Sequence, residues 1–419
     1  MRTPVPDYLR QVLRQCSDNT DGALADYIPE LANVDPERFA VALCMGDGKV
    51  YAAGDSETEF TNQSMSKPFV YALALRDRGL AEVQARVGVE PSGDPFNEMS
   101  LGEDGRPSNP MINSGAIATH SLIGGPEVPV EDKFELIRRG LSAFAGRELG
   151  IDEAVFESEF ATSSRNMAFA HMLRHHGMVE QTALGLVRGY TLQCSVKVTV
   201  RDLAVMAVTL GMGGRNPITG EQVVPEWVSR QVLSVMMTCG MYDAAGDWMT
   251  GVGIPAKSGV SGGILGALPG QVGLAAFSPK IDRHGNSVRG VRVFERLSGD
   301  LNLHLMGIQE ARVRLLLSSG DVELDDGTAH HLRLQGALYF GSVEQLFRDL
   351  DEVPEGEAVV VDLTKVTYVN PVGRRMLLDG MRGLGEGSRR LILVDPDGVL
   401  SDPTGSGVDM SVVSELSEA

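Results

Sequence analysis

Cysteine is scarce and scattered. Four occur in 419 residues, Cys16, Cys44, Cys194 and Cys239, with no Cys-x-x-Cys pair and no paired histidine beside them. That excludes a dense disulfide framework and a cysteine-based zinc site. Basic charge is also short: 37 Lys+Arg stand against 56 Asp+Glu, a formal charge of −19, and no run of Lys or Arg exceeds two. Such a chain repels nucleic-acid phosphates and anionic lipid, so neither nucleic acid nor membrane is an expected partner. The longest uncharged stretch, Ser258–Pro279, carries six glycines and two prolines, which suits core strands and loops better than a membrane helix. The first residues lack the apolar stretch of a signal peptide, so a cytoplasmic location is expected. Gly211-Met212-Gly213-Gly214 has no Lys-Ser/Thr after it, and no nucleotide cofactor is implied. His171, His175 and His176 have no third ligand with a supporting pattern; a surface helix fits them better than a metal.

What remains is a globular composition, 43% apolar and 22% charged, at a length for two or three domains. Charge divides the chain. Residues 318–419 hold 19 acidic and 8 basic side chains, against 37 and 29 before them. Ser318-Ser319-Gly320-Asp321 and Asp325-Asp326-Gly327 predict a linker over 318–326, separating a domain at 1–317 from one at 326–400, with a flexible tail at 401–419.

In the first domain, Phe39–Met45 and Lys49–Ala53 flank Gly46-Asp47-Gly48, a hairpin signature. Gln271–Phe277 and Val288–Glu295 predict a second strand pair, and Leu301–Leu317 a closing helix. The middle is mostly helical by pattern, as in Val130–Phe144 and Val200–Leu210. The expected fold is α+β: one antiparallel sheet completed by both ends of the domain, packed on a helical cluster. The second domain alternates strand, helix, strand, helix, strand from Leu332 to Val394, which predicts a small α/β sheet covered by helices.

Only seven lysines occur, and one closes the single Ser-x-x-Lys, Ser64-Met65-Ser66-Lys67. At that spacing in a helical turn the amine can take the hydroxyl proton, and free N–H groups at a helix start favour an oxyanion. Pro68 places that start nearby, and the residue before a proline resists the helical region, so Lys67 is expected to be irregular. Lys257-Ser258-Gly259 offers a second cation that would depress the pKa of the first amine. Asn113 sits inside an otherwise apolar stretch, and Glu159 and Asn166 are spaced to share one helix face, although a solvated helix explains that spacing equally. Tyr27, Tyr190 and Tyr242 are three of eight tyrosines.

Together these motifs identify a resemblance. Tyr27-Ile28-Pro29-Glu30-Leu31, Gln63 to Pro68, Asn109 to Ala116, Glu159 with Arg165-Asn166, Gln193-Cys194-Ser195, Cys239 to Asp243 and Lys257 to Ile264 resemble the glutaminase family, whose fold is similar to that of serine β-lactamases and penicillin-binding proteins. The resemblance implies hydrolysis of L-glutamine to L-glutamate and ammonia through an acyl-enzyme, with no cofactor and no metal. It further implies Ser64 as nucleophile, Lys67 as base, Tyr27 and Tyr242 as positioning and proton-transfer groups, and Lys257 as the facing cation. The N–H groups of Ser64 and Val260 would form the oxyanion hole. Asn113, Glu159, Asn166 and Tyr190 would hold the amino-acid end of the substrate, Glu159 suiting its ammonium. A homo-oligomer, dimer or tetramer, is expected.

Residues from 330 to about 400 resemble a STAS domain, with Val359 to Val366 as its central strand. Where signalling members carry Asp-Ser-x-Gly this chain has Asn370-Pro371-Val372-Gly373, so a phosphoserine switch is unavailable there. A regulatory or protein-contact module, answering a protein partner or a small effector, is expected instead. Two alternatives share some of these features. A penicillin-recognising serine hydrolase uses the same two lysine motifs but would normally be exported. A non-catalytic STAS regulator that senses glutamine would not need Ser64, Lys67 and Lys257 intact.

Overall fold

The computed structural model describes residues 4–93, 101–307, 315–324, 327–349, 358–385, 390–400 and 410–416. The chain forms two compact units, Leu9–Ser298 with Leu303–Leu305, and the remainder. No helix among the described residues is long and apolar enough to cross a membrane.

The larger unit is built on a five-stranded antiparallel sheet whose strands come from both ends of its sequence. Strands β1 (Ala40–Met45) and β2 (Val50–Gly54) form the expected hairpin; β3 (Phe60–Thr61) and β4 (Lys197–Val198) pair separately. The uncharged stretch, with Ala256 and Lys257 just before it, supplies β5 (Ala256–Gly259), β6 (Gly263–Leu268) and β7 (Val272–Phe277), and β1 pairs with β7 to give the order β2-β1-β7-β6-β5. Helix Val200–Gly211, buried along most of its length, lies against this sheet. A Cβ on Gly273 of β7 would stand 2.2 Å from the Ala204 carbonyl oxygen, so only glycine permits that approach. The helix begins with a reciprocal capping box between Thr199 and Asp202, and Arg147 holds the Asp202 carboxylate with two hydrogen bonds of 2.6 Å. Helix Lys67–Arg78 is buried through its first nine residues, which makes it the central helix of the cluster.

Two sequence expectations fail here. Val288–Glu295 is helical, the start of helix Val288–Leu301, although its valines favour a strand. Val293, Phe294, Leu297 and Leu301 are buried at helical spacing, and burial of that stripe overrides the local preference. The expected helix Leu301–Leu317 is absent where it is described: residues 303–307 are non-helical, 308–314 lie outside the described residues, and Leu316 opens a strand.

In the smaller unit residues 318–324 of the predicted linker belong to a strand, and 325–326 lie outside the described residues. Strand β8 (Leu316–Leu324) pairs antiparallel with β9 (Gly327–Leu338), because Leu316, Val322 and Leu324 fall opposite Leu334, Ala329 and Gly327 in register. Helix Phe340–Asp349, β10 (Ala358–Val369), helix Pro371–Gly385 and β11 (Leu391–Val394) follow as the alternation predicted. The tail also departs from expectation. Residues 401–409 and 417–419 lie outside the described residues, but β12 (Ser411–Val413) extends the sheet parallel to β11, its Val412 and Val413 opposite Leu393 and Val394. The resulting sheet, β12-β11-β10-β9-β8, is mixed, with β8 its one antiparallel member. Asn370 opens helix Pro371–Gly385, its Oδ1 accepting from the N–H groups of Val372 at 2.8 Å and Gly373 at 3.3 Å.

Candidate active site

The Ser-x-x-Lys segment is a junction of two helical turns. The β3–β4 pair leads the chain in, the Asn62 N–H bonds the Val196 carbonyl at 2.9 Å, and a 3-10 turn, Gln63–Ser66, runs straight into helix Lys67–Arg78. Gln63 has a left-handed backbone, φ 46°, unusual for a residue with a side chain. Lys67 is regular helix at φ −57° and ψ −47°, not the irregular residue that Pro68 led us to expect, and its N–H bonds the Ser64 carbonyl. The carbonyl it bonds belongs to the preceding 3-10 turn, which sets its helical geometry before the proline is reached.

Burial governs the chemistry. Lys67 is 1% exposed and Lys257 fully buried. Loss of hydration brings the Lys67 amine down to about 8 against the attraction of nearby anionic groups. Lys257 is pushed well below its usual range, chiefly by burial and then by Lys67. Desolvation is the main cause at both lysines, and the repulsion between the two amines adds to it. Lys257 Nζ donates to the Ser258 carbonyl at 2.7 Å and lies 3.9 Å from the centre of the Tyr242 ring. Lys67 Nζ lies 5.9 Å from the same ring centre, and burial raises the pKa of the Tyr242 hydroxyl against the influence of the neighbouring Ser64. Lys257, distant in sequence from Ser64 and Lys67, therefore meets them at one tyrosine. Tyr242 is itself held at φ 56°, a second left-handed residue at the same place.

The remaining residues form a connected polar network. Asn113, at the start of helix Asn113–Leu122, accepts at Oδ1 from Lys67 Nζ at 2.7 Å and from the Tyr190 hydroxyl at 3.2 Å. Its Nδ2 donates to Asn166 Oδ1 at 3.2 Å. Asn166 and Glu159 are on different helices, Ser164–His175 and Glu153–Ala161, contrary to the shared face that their spacing suggested. Thr162 and Ser163 break the helix by turning their hydroxyls back onto the carbonyls of Glu159 and Phe160. Glu159 is buried, and burial raises its carboxyl to about 7 against a hydrogen bond from Gln63 and the charge of Lys67. Val260 follows β5, whose Gly259 passes so close to the turn that carries Ser64 that a Cβ there would stand 3.1 Å from the Asn62 carbonyl oxygen. Tyr27 is 51% exposed and faces Glu159 and Tyr242 electrostatically. A surface groove of about 740 Å³ lies beside Tyr27, but none of the buried reactive groups lines it.

Sequence reasoning missed Gln63. Its Nε2 donates to Glu159 Oε2 at 3.0 Å and to the Thr61 hydroxyl at 3.3 Å, tying the Gln63–Ser66 turn to the carboxylate. Adjacency to Ser64 was the only signal available, and it is weak. Cys194, buried beside Tyr190 with its thiol pKa pushed far up by burial, was likewise unassigned. All four cysteines are free and buried.

Comparison with known proteins converges with this geometry. A glutaminase family model matches residues 22–306, and a STAS domain model matches 321–403. The chain is 50% identical over 400 residues to the glutaminase of Corynebacterium glutamicum, covering 95% of this chain and 96% of that protein. It is 43% identical over 400 residues to glutaminase 1 of Bradyrhizobium diazoefficiens, covering 91% of this chain and 65% of that one. Among solved structures, the crystal structure of Mglu superposes with a TM-score of 0.72 at 46% identity, covering 95% of this chain and all of that one. A Bacillus glutaminase superposes at 0.65 with 32% identity over 72% of this chain and all of that one. The chain belongs to the glutaminase family and carries a STAS domain after its glutaminase domain.

Proposed function

We propose that the chain converts L-glutamine and water to L-glutamate and ammonia through an acyl-enzyme on Ser64. The observation that carries the mechanism is the convergence of the Ser64 hydroxyl, the Lys67 amine and the Lys257 amine on Tyr242. With its pKa near 8, Lys67 is partly neutral at physiological pH and takes the Ser64 proton as Oγ attacks the side-chain carbonyl. The N–H groups of Ser64 and Val260 receive the developing oxyanion. The C–N bond breaks as the leaving nitrogen takes the Lys67 proton, relayed through Tyr242, and ammonia departs with the amine neutral again. Water then attacks the glutamyl ester, giving its proton to Lys67, which returns it to Ser64 Oγ as the ester C–O bond breaks and glutamate is released.

Glu159 holds the substrate ammonium, which keeps the carboxylate ionised despite burial. Asn113, Asn166 and Tyr190 bind the rest of the amino-acid end, and Tyr27 stands at the exposed edge of the site, positioning the reacting groups. The antiparallel sheet and a nucleophile turn at a helix start support the β-lactamase-like reading of the fold. Acid quench during turnover followed by peptide mass spectrometry tests the intermediate. A glutamyl adduct on the peptide containing Ser64 is expected, and steady turnover with that peptide always unmodified overturns the mechanism.

The STAS domain is a regulatory or protein-contact module, and the proline at position 371 supports a role that does not run through serine phosphorylation at that turn. A chain ended after residue 317 is expected to change in effector response or assembly; unchanged activity, response and assembly would contradict that role.

A further inference from the structure

A chain of buried hydrogen bonds behind the site ends on the peptide group that carries Ser64. His120 Nδ1 lies 3.0 Å from Gln193 Oε1, Gln193 Nε2 lies 3.0 Å from Ser66 Oγ, and Ser66 Oγ lies 2.8 Å from the Gln63 carbonyl oxygen. His120, Gln193 and Ser66 are fully buried, and Gln63 is 2% exposed. The proton order is forced. A carbonyl only accepts, so the Ser66 hydroxyl donates to Gln63; its single proton spent, it accepts from the Gln193 amide. That fixes the amide orientation, leaves Gln193 Oε1 as acceptor, and makes His120 the donor through Nδ1–H. His120 Nε2 then keeps its lone pair. It meets no hydrogen-bond partner among the described residues and lies so near Gly189 that a Cβ there would stand 2.5 Å away. Burial lowers the His120 pKa to about 4, so the ring stays neutral and the order holds across the working range.

The last bond is the informative one. The Gln63 carbonyl and the Ser64 N–H are two ends of one planar peptide, so fixing the carbonyl direction fixes the N–H direction. That peptide follows the left-handed Gln63, a conformation that needs outside support. A donor on the carbonyl also polarises the peptide, strengthening the N–H at its other end. We propose that His120, Gln193 and Ser66 are positioning residues that aim and polarise the Ser64 N–H toward the oxyanion of the tetrahedral intermediate. The inference rests on the acyl-enzyme reading, in which that N–H is an oxyanion donor. It also explains why the two helices that supply Asn113 and Tyr190 are the ones that supply His120 and Gln193: at helical spacings of seven and three residues, one face of each helix serves both substrate and the oxyanion donor.

Ser66→Ala and the near-isosteric Gln193→Met in the full chain test the proposal. Removing a support of an oxyanion donor is expected to lower kcat for L-glutamine about 10- to 100-fold for Ser66→Ala and about 3- to 30-fold for Gln193→Met. KM and the Kd for L-glutamate, read by calorimetry, should stay within about twofold, because the oxyanion forms only in the transition state. An unchanged kcat in either folded variant, or a loss carried by KM and glutamate affinity, overturns it. If neither variant binds L-glutamate, the network serves folding alone and the proposal fails. Ser64→Ala measured alongside separates the two levels. If it still turns over glutamine, the acyl-enzyme reading falls; if it is inactive while Ser66→Ala is unimpaired, only the positioning role falls.

Discussion

Two buried charged sites, one in each domain, are handled in opposite ways. In the STAS domain Asp362 lies on β10, where burial alone would raise its pKa. Thr364, Arg333 and His331 all hydrogen-bond it and hold the carboxyl below its usual value. In the glutaminase domain Lys67, Lys257 and Glu159 are moved toward neutrality by burial; partners compensate only in part at Lys67 and Glu159, and at Lys257 the charge of Lys67 adds to the effect. Asp362 is a completed ion cluster that needs nothing further. Lys67 and Glu159 are poised groups, their pKa values at about 8 and about 7 lying where a proton can be exchanged near neutral pH. The contrast separates a charge that stabilises a sheet from charges that await a substrate.

That contrast can be broken at several points. The largest effect is expected from Lys67→Met, which keeps the volume and removes the base. kcat for L-glutamine should fall on the order of a thousandfold or more in a steady-state ammonia assay, and a fall below tenfold would mean that Lys67 is structural. Next comes Glu159→Gln, which removes the partner of the substrate ammonium. kcat/KM should drop by about 100-fold, mostly through KM, whereas a loss confined to kcat would place Glu159 in the chemistry.

The pH profile sharpens the contrast further. Lys67 acts as a neutral amine, so kcat should rise with pH through about 8. Glu159 must be ionised to hold the ammonium, so KM should increase as pH falls through about 7. Each protonation below its pKa removes the form the reaction needs, and kcat/KM therefore falls on the acid side for both reasons. A flat profile from pH 6 to 9 would contradict both assignments. The smallest effect on turnover is expected from Asp362→Asn. It should destabilise the STAS domain by about 1–3 kcal/mol in denaturant unfolding, while kcat at saturating glutamine stays within about twofold. A large loss of kcat would show that this cluster is no mere stabiliser of its sheet.

The legible parts of the molecule were those written in local pattern or fixed spacing. The hairpin around Gly46-Asp47-Gly48, helices such as Val130–Ala145, and the strand–helix alternation of the STAS domain follow from periodicity and turn chemistry. The proximity of Ser64 and Lys67 was legible because one helical turn separates them. Val288–Glu295 was misread because β-branched residues favour strands locally, while only the packed fold shows which stripe is buried. The strand Leu316–Leu324 was hidden among the Ser, Gly and Asp residues of an exposed edge, and Ser411–Val413 is too short to stand out. The link from Gln63 to Glu159, and the order from His120 to Ser66, depend on contacts spanning about a hundred residues, which no local motif encodes.

The account rests most directly on the Ser64 hydroxyl. Ammonia release from L-glutamine and L-glutamate binding should be measured on the wild type and on Ser64→Ala. We expect kcat to fall by several orders of magnitude while the glutamate Kd changes little, since Glu159, Asn113, Asn166 and Tyr190 remain. Ser64→Ala turning over glutamine within tenfold of the wild-type rate would contradict the nucleophile and every step derived from it.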